Sequence, residues 1–240
     1  MRRECSNGAP LEANRRPFAA AETPALAAKE AVMQPTVVWR RPAKRGPSTP
    51  LVVLLHGRGA DENDLIGIAD MLPGTYAYAS VRAPVSLAEG GYTWFENRGA
   101  ARPIAASLRA SVAMLRAWLD GAEVAQFNRE RTYVLGFSAG MMMSGALLLD
   151  DPARFAGAVL LSGAIPFDAG IDAPPQHLVG KPIFYGRGTM DDVIPRELVL
   201  QSERYLREKS GAQLTFREYP IGHSIAEAEL EDIADWFEGH

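Results

Sequence analysis

The sequence predicts an α/β fold, a mostly parallel central sheet with helices on both faces. Three observations carry this expectation. Short aliphatic runs alternate with segments of helical periodicity, the pattern of repeated βαβ units. The runs are continuously apolar, as in Leu-Val-Val-Leu-Leu at 51–55, and a strand apolar at every position is covered on both sides. Glycine-containing motifs bearing Ser, Asp or His follow such runs directly, at the strand ends where α/β sheets gather their reactive groups.

Taken in order, the first strand is expected at 36–40, and a turn-rich connector at 42–50 leads to the second at 51–55. Residues 61–72 read as a helix because Leu65, Ile68, Ala69 and Leu72 share one face. A strand follows at 76–81. Residues 83–103 are loop-like, with Gly90-Gly91 and the cluster Tyr92-Thr93-Trp94-Phe95. A long helix is expected over 104–127, with Leu108, Val112, Leu115 and Leu119 on one face. Then come a buried strand at 132–137, a strongly apolar helix at 141–149, and strands at 156–161 and 183–185. The next helix has Pro195 at its first position, where a missing N–H costs nothing. A strand at 214–219 and a helix at 225–237, carrying Leu230, Ile233, Trp236 and Phe237, complete the pattern.

The 240 residues, 47% hydrophobic and 22% charged, suffice for one buried core, expected over 35–240. Residues 1–34 are rich in Ala, Pro, Glu and Arg and lack the aliphatic content to pack. They are expected to form a disordered or weakly ordered tail. A formal net charge of -4 without a clustered Lys/Arg stripe argues against a nucleic-acid partner. No apolar run is long enough to span a membrane. Cys5 is the only cysteine, so no disulfide closes within the chain, which fits a reducing compartment. Arg15-Arg16-Pro17-Phe18 resembles the start of a twin-arginine export signal. The stretch after it is broken by Glu22, Lys29 and Glu30, so a cytoplasmic location is expected.

The strongest chemical motif is Gly136-Phe137-Ser138-Ala139-Gly140, which ends a predicted strand and opens a predicted helix. That setting is a nucleophile elbow: the sharp turn lifts the serine hydroxyl clear of the sheet, at the positive end of a helix dipole. A serine hydroxyl needs a base within hydrogen-bond reach. Of the four histidines, His240 is terminal, His177 lies in a Pro-rich loop and His56 ends a buried strand. His223 follows the last strand, where the chain order Ser, acid, His places the base. The acid lies between them, in Gly188-Thr189-Met190-Asp191-Asp192-Val193-Ile194-Pro195, and spacing alone leaves Asp191 and Asp192 open. Oxyanion donors are expected in the backbone N–H groups of Ala139 and Arg58, the latter in Leu55-His56-Gly57-Arg58-Gly59-Ala60-Asp61. The same loop reads less well as a dinucleotide-binding turn, because Glu62 stands where its third glycine belongs. The histidines and the lone cysteine show no metal-ligand spacing, and no metal is expected.

These motifs, with Arg82-Ala83-Pro84 and Trp94-Phe95, resemble the phospholipase/carboxylesterase family of α/β-hydrolases. That family includes acyl-protein thioesterases and small bacterial carboxylesterases, and the resemblance runs from about residue 36 to the end. It implies an α/β-hydrolase fold with little or no lid, a monomer or homodimer, no cofactor, and small-molecule esters with short to medium acyl chains as substrates. It also implies that the acid is Asp191, four residues before Pro195. Two departures stand out. Ala139 occupies a position where many members carry Gln, which spares the backbone donor but changes side-chain contacts to substrate. Arg58 replaces a commonly apolar residue and adds positive charge at the pocket mouth. Trp94, Phe95, Met141 and Phe167 lie on or beside loops expected to surround Ser138 and are the candidate pocket residues. The competing readings are a thioesterase, peptidase or acyltransferase on the same triad, and a non-catalytic binding protein on a hydrolase fold.

Overall fold

A computed structural model describes residues 34–240, so the expectations for Cys5, the twin-arginine-like segment and nearly all of the 1–34 tail lie outside the described residues. The elements are β1 (Val37–Arg40), β2 (Leu51–Leu55), β3 (Ala77–Val81), β4 (Val85–Ser86), β5 (Tyr92–Thr93), α1 (Ala105–Leu119), β6 (Thr132–Phe137), α2 (Ala139–Asp150), β7 (Gly157–Leu161), β8 (Pro182–Gly188), α3 (Arg196–Arg204), β9 (Gln213–Tyr219) and α4 (Glu227–Glu238). Seven strands form one sheet in the order β1-β3-β2-β6-β7-β8-β9, while β4 and β5 form a separate hairpin. Within the seven-stranded sheet only β1 runs antiparallel to its neighbour, with Val37 opposite Val81. The parallel strands therefore end together on one rim, where Leu55 pairs with Gly136, Phe137 with Leu161 and Gly188 with Tyr219.

Alternation along each strand divides the core into two layers. Leu51, Val53 and Leu55 face α1, α2 and α3, whereas Val52 and Leu54 face the segment 65–72 and α4. Every residue of β2 is at most 1% exposed, which accounts for its uninterrupted apolar run. At about 1.5–3 kcal/mol per buried aliphatic side chain, these central strands anchor the rim that carries the loops.

Three expectations are corrected here. Residues 61–72 do not form an α-helix: a 3-10 turn covers only Ile66–Asp70. The Asp61 carboxylate accepts the N–H of Asn63 at 2.8 Å, and Ile68 N–H bonds to Leu65 C=O, so tight turns replace helical bonding while Leu65, Ala69 and Leu72 still bury. The helix expected at 104–127 stops at Leu119, where Gly121 follows and further turns carry Val124 and Phe127 into the core. Pro195 is the N-cap of α3, with ψ 124° outside the helical range, rather than its first residue. In addition, the 83–103 stretch holds the short hairpin β4–β5, and β8 extends from Pro182 to Gly188.

Candidate active site

In strand order the chain leaves β2 for β3 on one side and resumes at β6 on the other. The rim between β2 and β6 is thus a topological switch point, where α/β sheets open a crevice. Ser138 stands there, between β6 and α2. Its backbone is strained, with φ 57° and ψ -116°, a conformation that non-glycine residues rarely adopt. Close approach fixes the glycines around it. A Cβ on Gly140 would fall 1.8 Å from Leu55 O, and one on Gly136 would fall 2.2 Å from Gly140 O.

The Ser138 hydroxyl lies 2.8 Å from His223 Nε2 and donates to it. On the other side of the ring, His223 Nδ1–H donates to Asp191 Oδ2 at 2.8 Å. The imidazole packs against the ring of Phe137 at 5.0 Å between centroids. The loops carrying acid and base are stitched together, as Thr189 N–H bonds to Tyr219 C=O and Met190 N–H to Ile221 C=O. Asp192 is exposed and makes no such contact, so of the two aspartates it is Asp191 that reaches the imidazole.

The loop after β2 closes over the serine. A Cβ on Gly57 would sit 3.6 Å from Ser138 Cβ. Gly59 N–H bonds to Tyr92 C=O and Tyr92 N–H to Ala60 C=O, both at 2.9 Å, which pins this loop to β5. The N–H groups of Arg58 and Ala139 are left without backbone acceptors among the described residues.

A family model described as Phospholipase/Carboxylesterase matches residues 41–240. The chain belongs to the phospholipase/carboxylesterase family. Among its relatives, the putative hydrolase MhqD of Bacillus subtilis is 29% identical over 81% of this chain and 95% of that protein. Acyl-protein thioesterase 1 of Cryptococcus neoformans is 28% identical over 78% and 91%. The crystal structure of the Bacillus cereus carboxylesterase superposes with a TM-score of 0.75 at 25% identity, covering 85% of this chain and 94% of that one. The seven-stranded sheet is accordingly that of the α/β-hydrolases, and this member of the phospholipase/carboxylesterase family is a hydrolase.

The loop after β2 rests on residues that carry no role in the sequence motifs above. His56 is 0% exposed; its Nδ1–H donates to Gly57 C=O at 2.7 Å and its Nε2 accepts Ala83 N–H at 3.1 Å. These bonds fix a neutral tautomer, and burial lowers the pKa of the ring. Glu62, also buried, takes a bidentate bond from Arg82, whose guanidinium lies 4.6 Å over the ring of Tyr92. Arg82 holds the Glu62 carboxyl below the usual carboxylate range. A buried acid three residues after Gly59, with an Arg-Ala-Pro following the next strand, was the available sequence signal.

The candidate pocket residues divide. Trp94 and Phe95 are 0% and 1% exposed and belong to the core, a correction to their expected place in a pocket. Trp94 Nε1–H donates to His56 C=O at 2.8 Å, so this ring is tied to the start of the loop after β2. Met141 is likewise fully buried, against Gly163. Phe167 is partly exposed, edge-on to Tyr205, and lines a cleft of about 540 Å³ with Leu200 and Arg204 of α3. No described helix is long and apolar enough to cross a membrane, and no described group of three or more His, Cys, Asp or Glu side chains is arranged to hold a metal ion.

Proposed function

We propose that this family member is a serine carboxylesterase that hydrolyses short- to medium-chain carboxylic esters through Ser138, His223 and Asp191. The observation that carries the reading is the unbroken hydrogen-bonded line from Ser138 Oγ through His223 to Asp191, at 2.8 Å on each side of the ring, starting from a strained elbow. Ser138 Oγ attacks the ester carbonyl while His223 Nε2 takes its proton. Asp191 keeps Nδ1 protonated and stabilises the imidazolium. The N–H groups of Arg58 and Ala139 receive the oxyanion. His223 then returns the proton to the departing alcohol, leaving an acyl-enzyme. Water, deprotonated by the same nitrogen, releases the acid and regenerates the serine.

Ser138→Ala is expected to lower turnover of a p-nitrophenyl ester by roughly 10⁴–10⁶. Retention of more than about a tenth of the wild-type rate would remove the nucleophile assignment. Thioester hydrolysis by the same steps is a second reading, favoured by the similarity to an acyl-protein thioesterase. Comparing kcat/KM for an oxygen ester and a thioester of one acyl chain separates the two, and the ester is expected to lead.

A further inference from the structure

Besides Glu62, which pairs with Arg82, one buried carboxyl stands outside the mechanism. Glu229 of α4 is 0% exposed. Its Oε2 accepts the N–H of Ala226 at 3.4 Å, and its Oε1 has no hydrogen-bond partner among the described residues. Oε1 lies against the sheet, where a Cβ on Gly186 of β8 would fall 2.1 Å from it. Ala226 is the N-cap of α4 and carries no side-chain acceptor, so the first turn depends on Glu229 for this bond.

Stability alone does not call for such a group. A carboxyl buried with one long hydrogen bond costs free energy that an apolar side chain of similar volume would not. Burial raises its pKa to about 7, with the charge of Asp232 acting in the same direction. Asp232 itself accepts from Tyr219 OH on β9 and lies 3.7 Å from Arg217. The one hydrogen bond of Glu229 falls on Ala226, three residues after His223, on the segment carrying the proposed base. That segment is tied before His223 by Met190 N–H to Ile221 C=O. It is tied just after by the Ser162 hydroxyl, which donates to Ser224 C=O at 3.5 Å, and then by Glu229 at Ala226. Ser162 has a positive φ of 46°, and its N–H bonds to the C=O of Gly186, the residue against which Glu229 rests.

We infer that Glu229 is a positioning residue for His223: seated against Gly186 and holding Ala226 N–H, it fixes the segment that keeps the imidazole between Asp191 and Ser138. The inference rests on the proposed role of His223 as base.

Two variants test it, Glu229→Met, which keeps volume and removes the acceptor, and Glu229→Gln, which keeps both. Each is assayed with p-nitrophenyl acetate across about pH 5–9, with urea unfolding and fluorophosphonate labelling beside it. Glu229→Met is expected to unfold no more easily than wild type, yet to lose roughly 10- to 100-fold in kcat at nearly constant KM, with its acid limb displaced. Glu229→Gln is expected to recover kcat to within about threefold and to restore the limb. A Met variant with wild-type kcat and acid limb overturns the inference. So does a Gln variant as slow as Met, or a loss of kcat that merely follows the unfolded fraction. A wild-type protein that neither labels nor turns over overturns the assignment of Ser138 and His223 itself, so the wild-type arm tells the two failures apart.

Discussion

Asp191 divides its two oxygens between two tasks. Oδ2 accepts from His223, while Oδ1 accepts the N–H of Val193 at 3.0 Å and closes a turn that aims the carboxylate. Asp191→Asn can keep that turn, but its amide cannot hold the imidazole in the tautomer a base requires. Turnover of a p-nitrophenyl ester is expected to fall by about 10⁴. The neighbouring Asp192→Asn changes only an exposed side chain and should stay within about twofold of wild type. Equal losses in the two variants would break the assignment. Spacing in the sequence leaves these two residues equivalent, because in a loop no periodicity says which of two adjacent side chains turns inward. The difference arises from β8 and β9 ending together and from the bonds that stitch residues 189–190 to 219–221.

The elbow is a property of elements, since it exists only where α2 crosses closely over the end of β2. Gly140→Ala would drive a methyl carbon to 1.8 Å from Leu55 O, against backbone that cannot turn aside. A loss of more than about 2 kcal/mol in urea unfolding is expected, with activity falling alongside. Gly67→Ala, whose Cβ meets nothing within 4 Å, should shift stability by no more than about 0.5 kcal/mol. If both variants unfold alike, close packing is not what the elbow glycine serves. Strands were the most legible elements because burial on both faces writes a continuous apolar run, as at Leu51–Leu55. Helices were less so. Leu65, Ala69 and Leu72 are spaced for a helix because they bury on one side, and burial does not require helical hydrogen bonds. Val124 and Phe127 extended the apparent periodicity of α1 for the same reason. The two-residue strands β4 and β5 are too short to carry any period, and without them the core position of Trp94 stays hidden.

At the scale of the whole molecule, His56 and Glu229, both buried, contribute to the dependence of stability on pH with opposite signs. Burial lowers the pKa of His56 below its ordinary 6.5. The folded state therefore resists a proton that the unfolded chain accepts, and stability is lost as pH falls below 6.5. Glu229 works the other way, because its folded pKa is raised from 4.5 to about 7. The folded state keeps a proton that the unfolded chain gives up from 4.5 upward, so this contribution is complete below 4.5 and lost as pH rises through about 7. A folded pKa raised this far corresponds to roughly 3 kcal/mol. Glu229→Gln does not titrate, and His56 contributes equally to variant and wild type, so their difference isolates the carboxyl. Urea unfolding is expected to show Glu229→Gln gaining on wild type by about 2–3 kcal/mol between about pH 5 and pH 8. A difference that stays flat across that window would mean that water reaches the carboxyl in the folded protein, and the raised pKa would have no basis.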